Sequence, residues 1–203
     1  MMRTHWNRAS LILGLITAIG ACTKKDAGTG DTGLATATDT GAVAGMADTA
    51  MAPAPALSDA NIVYILDNAN KLDSAAGSIA ATKGTNSEVR DFAKRMMRDH
   101  HQLRQQGQDL AKKLGVTPAA PANDNSQADY DKTMSTLNGV AKGNDFDKAY
   151  IDNEVTYHKA VLETATAAMA AAQNAELKNL IQKAAPAIQA HLDMAQGIQS
   201  KMK

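Results

Sequence analysis

The chain has 203 residues, 21 Lys and Arg against 21 Asp and Glu, and only 3% aromatic residues. A chain with no net charge, no basic face and few aromatics is a poor partner for nucleic acid. Its single cysteine, Cys22, excludes an intrachain disulfide, so the folded part must be held by an apolar core.

The N-terminus reads as an export signal. Arg3 and Arg8 supply positive charge, and Leu11 to Ile19 is an apolar run. The run is too short to cross a bilayer, which takes ~20 apolar residues, but it suits the centre of a signal peptide. Ile19-Gly20-Ala21-Cys22 then has the form of a bacterial lipobox. Residues 1–21 are therefore expected to be removed and Cys22 to carry the lipid. A thiolate accepts a diacylglycerol, and two or more acyl chains anchor a protein stably where one does not. Thr23, where Asp would favour retention at the inner membrane, points to the outer membrane, with the protein facing the periplasm. The expected membrane partner is thus reached through the anchor.

Residues 22–57 read as a tether. Residues 23–57 hold ten Ala, seven Thr, five Gly and four Asp, with no aromatic residue. Such a composition buries too little apolar surface to offset chain entropy. As a flexible coil it spans roughly 30–35 Å. Pro53 and Pro55 stiffen its end.

Residues 58–203 read as one helical domain, rich in Ala, Leu, Lys and Gln with apolar residues recurring at three and four. Helix one follows Ser58, an N-cap, and its stripe runs Ile62, Leu66, Ala69, Asp73, Ala76, Ala80. Gly84 to Ser87 breaks it, and Ser87 is expected to cap helix two. That helix faces inward with Val89, Phe92, Met96, His100, Leu103, Gly107, Leu110 and Leu114, and Gly115 stops it. A short helix three is expected over 125–141. Helix four starts near Asp145 and turns Ile151, Val155, His158, Leu162, Ala165 and Met169 inward. Helix five starts near Asn174 with Leu177, Ile181, Ala184, Ile188, His191, Ala195 and Ile198, and Pro186 predicts a kink or one lost backbone bond. Four long helices and a short one predict an all-α, ferritin-like four-helix bundle. It would be built from two antiparallel hairpins, with the short helix in the crossover.

Asp73, His100, His158 and His191 each fall on the apolar stripe of a different long helix. Buried polar groups need partners, and two arrangements supply them. In one, the four form a polar layer with Asp99, Asp147, Tyr150 and Glu154 in support. In the other, they ligate a transition metal such as Fe, Zn or Cu, which imidazole and carboxylate suit. His101 lies one step round from His100 and is expected to face solvent.

Established metal and catalytic signatures are absent. A di-iron bundle needs Glu-x-x-His pairs, and none of Glu88, Glu154, Glu163 and Glu176 stands three residues before a His. There is no His-Glu-x-x-His, no Cys-x-x-Cys-His and no Gly-rich phosphate loop. The scattered Met residues read as core filler.

Three stretches carry a family resemblance: Val89-Arg90-Asp91-Phe92-Ala93 leading to Met97-Arg98-Asp99-His100; Phe146-Asp147-Lys148-Ala149-Tyr150 leading to His158; and Pro186 leading to His191-Leu192. By these the chain resembles the bacterial family of the domain of unknown function numbered 4142. The resemblance implies a ferritin-like fold and an outer-membrane lipoprotein, and no activity. Asp73 stands where the family pattern has Glu, and Ala185 precedes Pro186 where Leu is usual. The expected function is a lipid-anchored envelope protein with a non-enzymatic binding or interaction domain, linked to stress and to a protein partner in the envelope. The alternative is a ferritin-like metal-binding or redox protein.

Overall fold

The computed structural model describes residues 57–202; the signal, Cys22 and nearly all of the tether lie outside them. Five helices form: α1 Asp59–Lys83, α2 Ser87–Leu114, α3 Ser126–Gly139, α4 Asn144–Ala171 and α5 Ala175–Lys201. No strand occurs among the described residues, and none of these helices is long and apolar enough to cross a membrane.

Local chemistry sets the helix ends. Ser58 and Asn61 form a reciprocal capping box at α1. Asn86, not Ser87, caps α2, its side chain accepting from the Glu88 amide at 2.8 Å. Gly115 takes the left-handed conformation (φ 65°) that ends α2. Asn174 caps α5 through the Glu176 and Leu177 amides. The α5 helix runs on through Pro186. Pro186 and Gln182 are both exposed, so water can serve the Gln182 carbonyl that lacks a donor.

Hydrogen bonds between elements give the topology. The carboxylate of Asp59, at the start of α1, accepts from the amides of Gln173 and Asn174 beyond the end of α4. Asp147, at the start of α4, accepts from the amides of Thr85 and Asn86 beyond the end of α1. Helices α1 and α4 are therefore antiparallel. After α2, the Ala119 amide bonds the Ala60 carbonyl, back at the start of α1. The chain must then travel the length of the bundle to begin α4 beside Thr85. Tyr64 bonds Asp124 early on this path, and Lys83 bonds the Leu137 and Asn138 carbonyls at its end, so α3 runs alongside α1. This is the long crossover of a ferritin-like bundle.

The core is divided. One apolar cluster holds Phe92, Met96, Phe146, Tyr150, Ile151 and Leu192, and the other Ile62, Val63, Ala168, Leu177 and Ile181. Asp73, His100, Glu154, His158 and His191 lie midway along their helices and are no more than 2% exposed. Gly77 lets α1 and α2 approach closely: a Cβ there would meet the Ala93 carbonyl at 2.8 Å. Met169 is exposed at 38%, against the inward position its spacing suggests. Toward the end of α4 the buried stripe passes through Ala165, Ala168 and Ala172 instead.

Asp147 also departs from expectation. It does not support the histidines. Its buried carboxylate is taken up by the two turn amides and the Thr85 hydroxyl. Asp147→Ala removes three hydrogen bonds to a buried carboxylate from the exposed Thr85 and Asn86, where water can serve the donors. It is expected to destabilise the domain by about 2–3 kcal/mol, less than three full bonds to a charged group at about 1.5–3 kcal/mol each. Urea unfolding measures this; an unchanged midpoint would show that the turn holds without the clamp.

Candidate metal centre

The three inward histidines meet. The ring centroids of His100, His158 and His191 are separated by 5.6, 5.1 and 5.5 Å, a nearly equilateral triangle. One ligand atom from each lies within 4.8 Å of the others. Asp73, Glu154 and His158 form a second group under the same limit, so His158 belongs to both.

Each imidazole is fixed by one nitrogen. His100 Nδ1 sits 2.8 Å from Asn70 Oδ1, His158 Nδ1 3.0 Å from the Glu154 carbonyl, and His191 Nε2 3.1 Å from Asp99 Oδ2. All three partners are acceptors, so each of these nitrogens carries the proton. The remaining nitrogens, His100 Nε2, His158 Nε2 and His191 Nδ1, present lone pairs and have no hydrogen-bond partner among the described residues. Supporting acceptors of this kind set the tautomer and orientation of metal-binding histidines.

The two carboxyl groups lie against each other. Asp73 and Glu154 interact side chain to side chain, with Asp73 Oδ2 3.5 Å from His100 Nε2 and Glu154 Oε2 3.4 Å from His158 Nδ1. Burial pushes both acids well above the ordinary carboxyl range, and the Asp73 charge pushes Glu154 further. Burial draws His100 well below the usual imidazole value, aided by His158 and His191. Burial likewise lowers His158 to about 4 and lowers His191, where Asp99 opposes it. The histidines are thus neutral at pH 7, the state in which imidazole binds metal.

The expected site residues divide by role. His100, His158 and His191 come together, Asp73 reaches His100 and groups with Glu154 and His158, and Asp99 holds His191. Glu154 is more than a support: its carboxylate lies in the second donor group and its carbonyl orients His158. The Tyr150 hydroxyl is buried against the Glu154 carboxyl; burial first, then the Glu154 and Asp73 charges, raise its pKa well above the usual phenol value. Asn70, which orients His100, is not signalled by the apolar stripe. Its only trace is a position one turn before Asp73. His101 is exposed, as its position predicts.

Three imidazole nitrogens and two carboxylates suit a borderline divalent ion such as Cu(II), Zn(II) or Fe(II). The fit rests on three buried imidazole nitrogens, His100 Nε2, His158 Nε2 and His191 Nδ1, left without partners among the described residues, which a fully paired core would not tolerate.

Two solved structures share the fold at low identity. One is "CopM in the Cu(II)-bound form" (12% identity, TM-score 0.56, 71% of this chain and 98% of that one). The other is a DUF305 fragment from Deinococcus radiodurans (11% identity, TM-score 0.62, 74% of this chain and 99% of that one). No curated protein matches the sequence. The family profile described as "Domain of unknown function (DUF4142)" matches residues 44–198, beginning inside the stretch read as tether and covering the whole bundle to Ile198. The chain belongs to this DUF4142 family.

Proposed function

We propose that the domain is a metal-binding module of the bacterial cell envelope, taking a divalent transition ion into the His100, His158, His191 triad with Asp73 or Glu154 completing the donor set. One observation carries the reading: three buried imidazoles each have one nitrogen fixed by an acceptor and the other unpartnered, and one nitrogen from each lies within 4.8 Å of the others. The Cu(II) named for CopM makes copper the first ion to try, with Zn(II) and Fe(II) next. The donors that come together are imidazoles and carboxylates, which suit Cu(II) better than Cu(I).

The proposed role is binding, with the ion sequestered or delivered to an envelope partner, and redox cycling the variant of it that a copper or iron site allows. Residues 1–22 carry the remainder: export, lipidation at Cys22 and an outer-membrane location facing the periplasm. Elemental analysis of tag-free protein, with titration of Cu(II), Zn(II) and Fe(II) followed by thermal unfolding, tests the metal. About one ion per chain with a raised midpoint is expected; trace metal and no shift from any ion would end the proposal. Cys22→Ala is expected to move the protein to the soluble periplasmic fraction, and a mutant that still pelleted with membranes would remove Cys22 as the anchor.

A further inference from the structure

A cavity reaches the donor cluster from the side of the Ile62–Ile181 apolar cluster. Asp73 and His100, whose Nε2 has no hydrogen-bond partner, form its buried end. Its walls come from all four long helices and are mostly aliphatic, including Val63, Leu66, Leu103 and Ile188. At the outer end lie Asp67, Arg104 and Gln108. These close on one another: Arg104 Nε and Nη2 reach the Asp67 carboxylate at 2.9 and 3.2 Å, and Gln108 Nε2 reaches it at 2.7 Å. Asp67 and Arg104 are 24% and 39% exposed, so the latch stands at the surface while Asp73 and His100 at the far end are buried.

Three features define what such a space accepts. Its aliphatic walls make entry of a bare charge costly, and the Asp67 and Arg104 charges are spent on each other. Its internal room is about 50 Å³, roughly a third of the ~150 Å³ cavity that takes a benzene ring. The occupant is therefore neutral and no more than a few heavy atoms. Its far end offers a direct approach to the donors at Asp73 and His100, apart from the Asp99 side that holds His191.

We propose that this cavity is a binding chamber for a neutral molecule of two to four heavy atoms, the size class of dioxygen or nitric oxide, admitted past the Asp67–Arg104–Gln108 latch and delivered to the coordination position beside His100 and Asp73. The delivery step rests on the metal reading; the chamber itself does not.

Xenon separates the two. Methyl NMR spectra of the metal-free full chain under xenon pressure are expected to show saturable shifts at Val63, Leu66, Leu103 and Ile188, and none at Val89 or Ile151 in the other cluster. Ala165 lines the chamber and is 5% exposed. Ala165→Val, checked for unchanged helix content, should take up much of the space and cut the xenon shifts by more than half. Leu103→Ala should enlarge the chamber enough for benzene to raise its thermal midpoint, with no such effect on the parent. Absence of xenon shifts in both the parent and folded Leu103→Ala, or equal shifts in both apolar clusters, overturns the chamber. For delivery, nitric oxide added anaerobically to the Co(II)-loaded protein should change its visible spectrum in the parent and far less in Ala165→Val. A loaded parent that does not respond overturns delivery, whereas failure of Co(II) to load counts against the metal reading and leaves the xenon result to decide the chamber.

Discussion

His158→Leu is expected to abolish tight metal binding while making the metal-free protein more stable. His158 is the one residue shared by both donor groups, and its free nitrogen is buried with no partner. Losing a supporting residue at such a site costs 10–100-fold in affinity, so losing this ligand should cost more than about 100-fold. The opposite sign in the metal-free protein follows from the same burial. Leu is close to His in volume and removes a buried ring nitrogen that has no partner. Removing an unpartnered buried polar group relieves its desolvation cost, about 1–3 kcal/mol, and strained functional sites commonly trade stability for activity. Urea unfolding with and without Cu(II) or Zn(II) reads both effects. The parent should gain a large metal-dependent shift that the variant lacks, and the variant should have the higher midpoint in chelator. If metal stabilises both proteins alike, or the variant is destabilised like an ordinary core mutant, the layer is a structural register device and not a ligand set.

Much of this site is legible in the sequence because the stripes are so regular. An Asp or His standing where the 3.6-residue period demands an apolar side chain is conspicuous, and four such residues on four helices must share an interior. The sequence does not say that they share a level. That depends on the antiparallel setting of α1 against α4, which Asp59 and Asp147 fix through turns more than sixty residues away. Asp147 is misassigned from spacing for this reason: it is buried on α4 beside the polar residues, yet its partners come from the α1–α2 turn. Asn70 is hidden for a related reason. Its role is the orientation of His100 across a helix interface, and a half-buried Asn in a helix has many ordinary explanations. Glu154, four residues before His158, is visible as a neighbour on the same face, but its place in the donor set needs Asp73 brought alongside from α1. Caps and stops behave more simply: Ser58 and Gly115 act through residues within one turn, and local sequence suffices to place them.

The metal-free protein is expected to be most stable near pH 6 and to lose stability on both sides, with bound metal removing the alkaline loss. The acid side belongs to the histidines. Their folded values lie below the unfolded value of about 6.5. As pH falls below about 6.5 the unfolded chain takes up protons that the buried rings refuse, and stability drops until the folded rings titrate. For His158, lowered to about 4, this amounts to about 3 kcal/mol. The alkaline side belongs to Asp73 and Glu154, whose folded values are raised. Their favourable contribution is complete below the unfolded value of about 4 and is lost as pH rises toward the folded values, because the unfolded acids ionise first. Between about pH 4 and 6.5 up to three histidine protons favour the unfolded state against two carboxyl protons favouring the native one, so stability climbs with pH. Above about pH 6.5 only the carboxyl protons remain to be released and the slope reverses. A divalent ion wants the other protonation state, with neutral imidazoles and ionised carboxylates. Its stabilising effect should therefore be negligible near pH 4, where protons hold the acids, and grow steadily toward pH 8. Thermal unfolding from pH 4 to 9, in chelator and in excess Zn(II), gives both curves. A metal-free curve that stays flat above pH 6, or a metal shift that grows toward acid, would mean that Asp73 and Glu154 do not carry the protons that their burial demands.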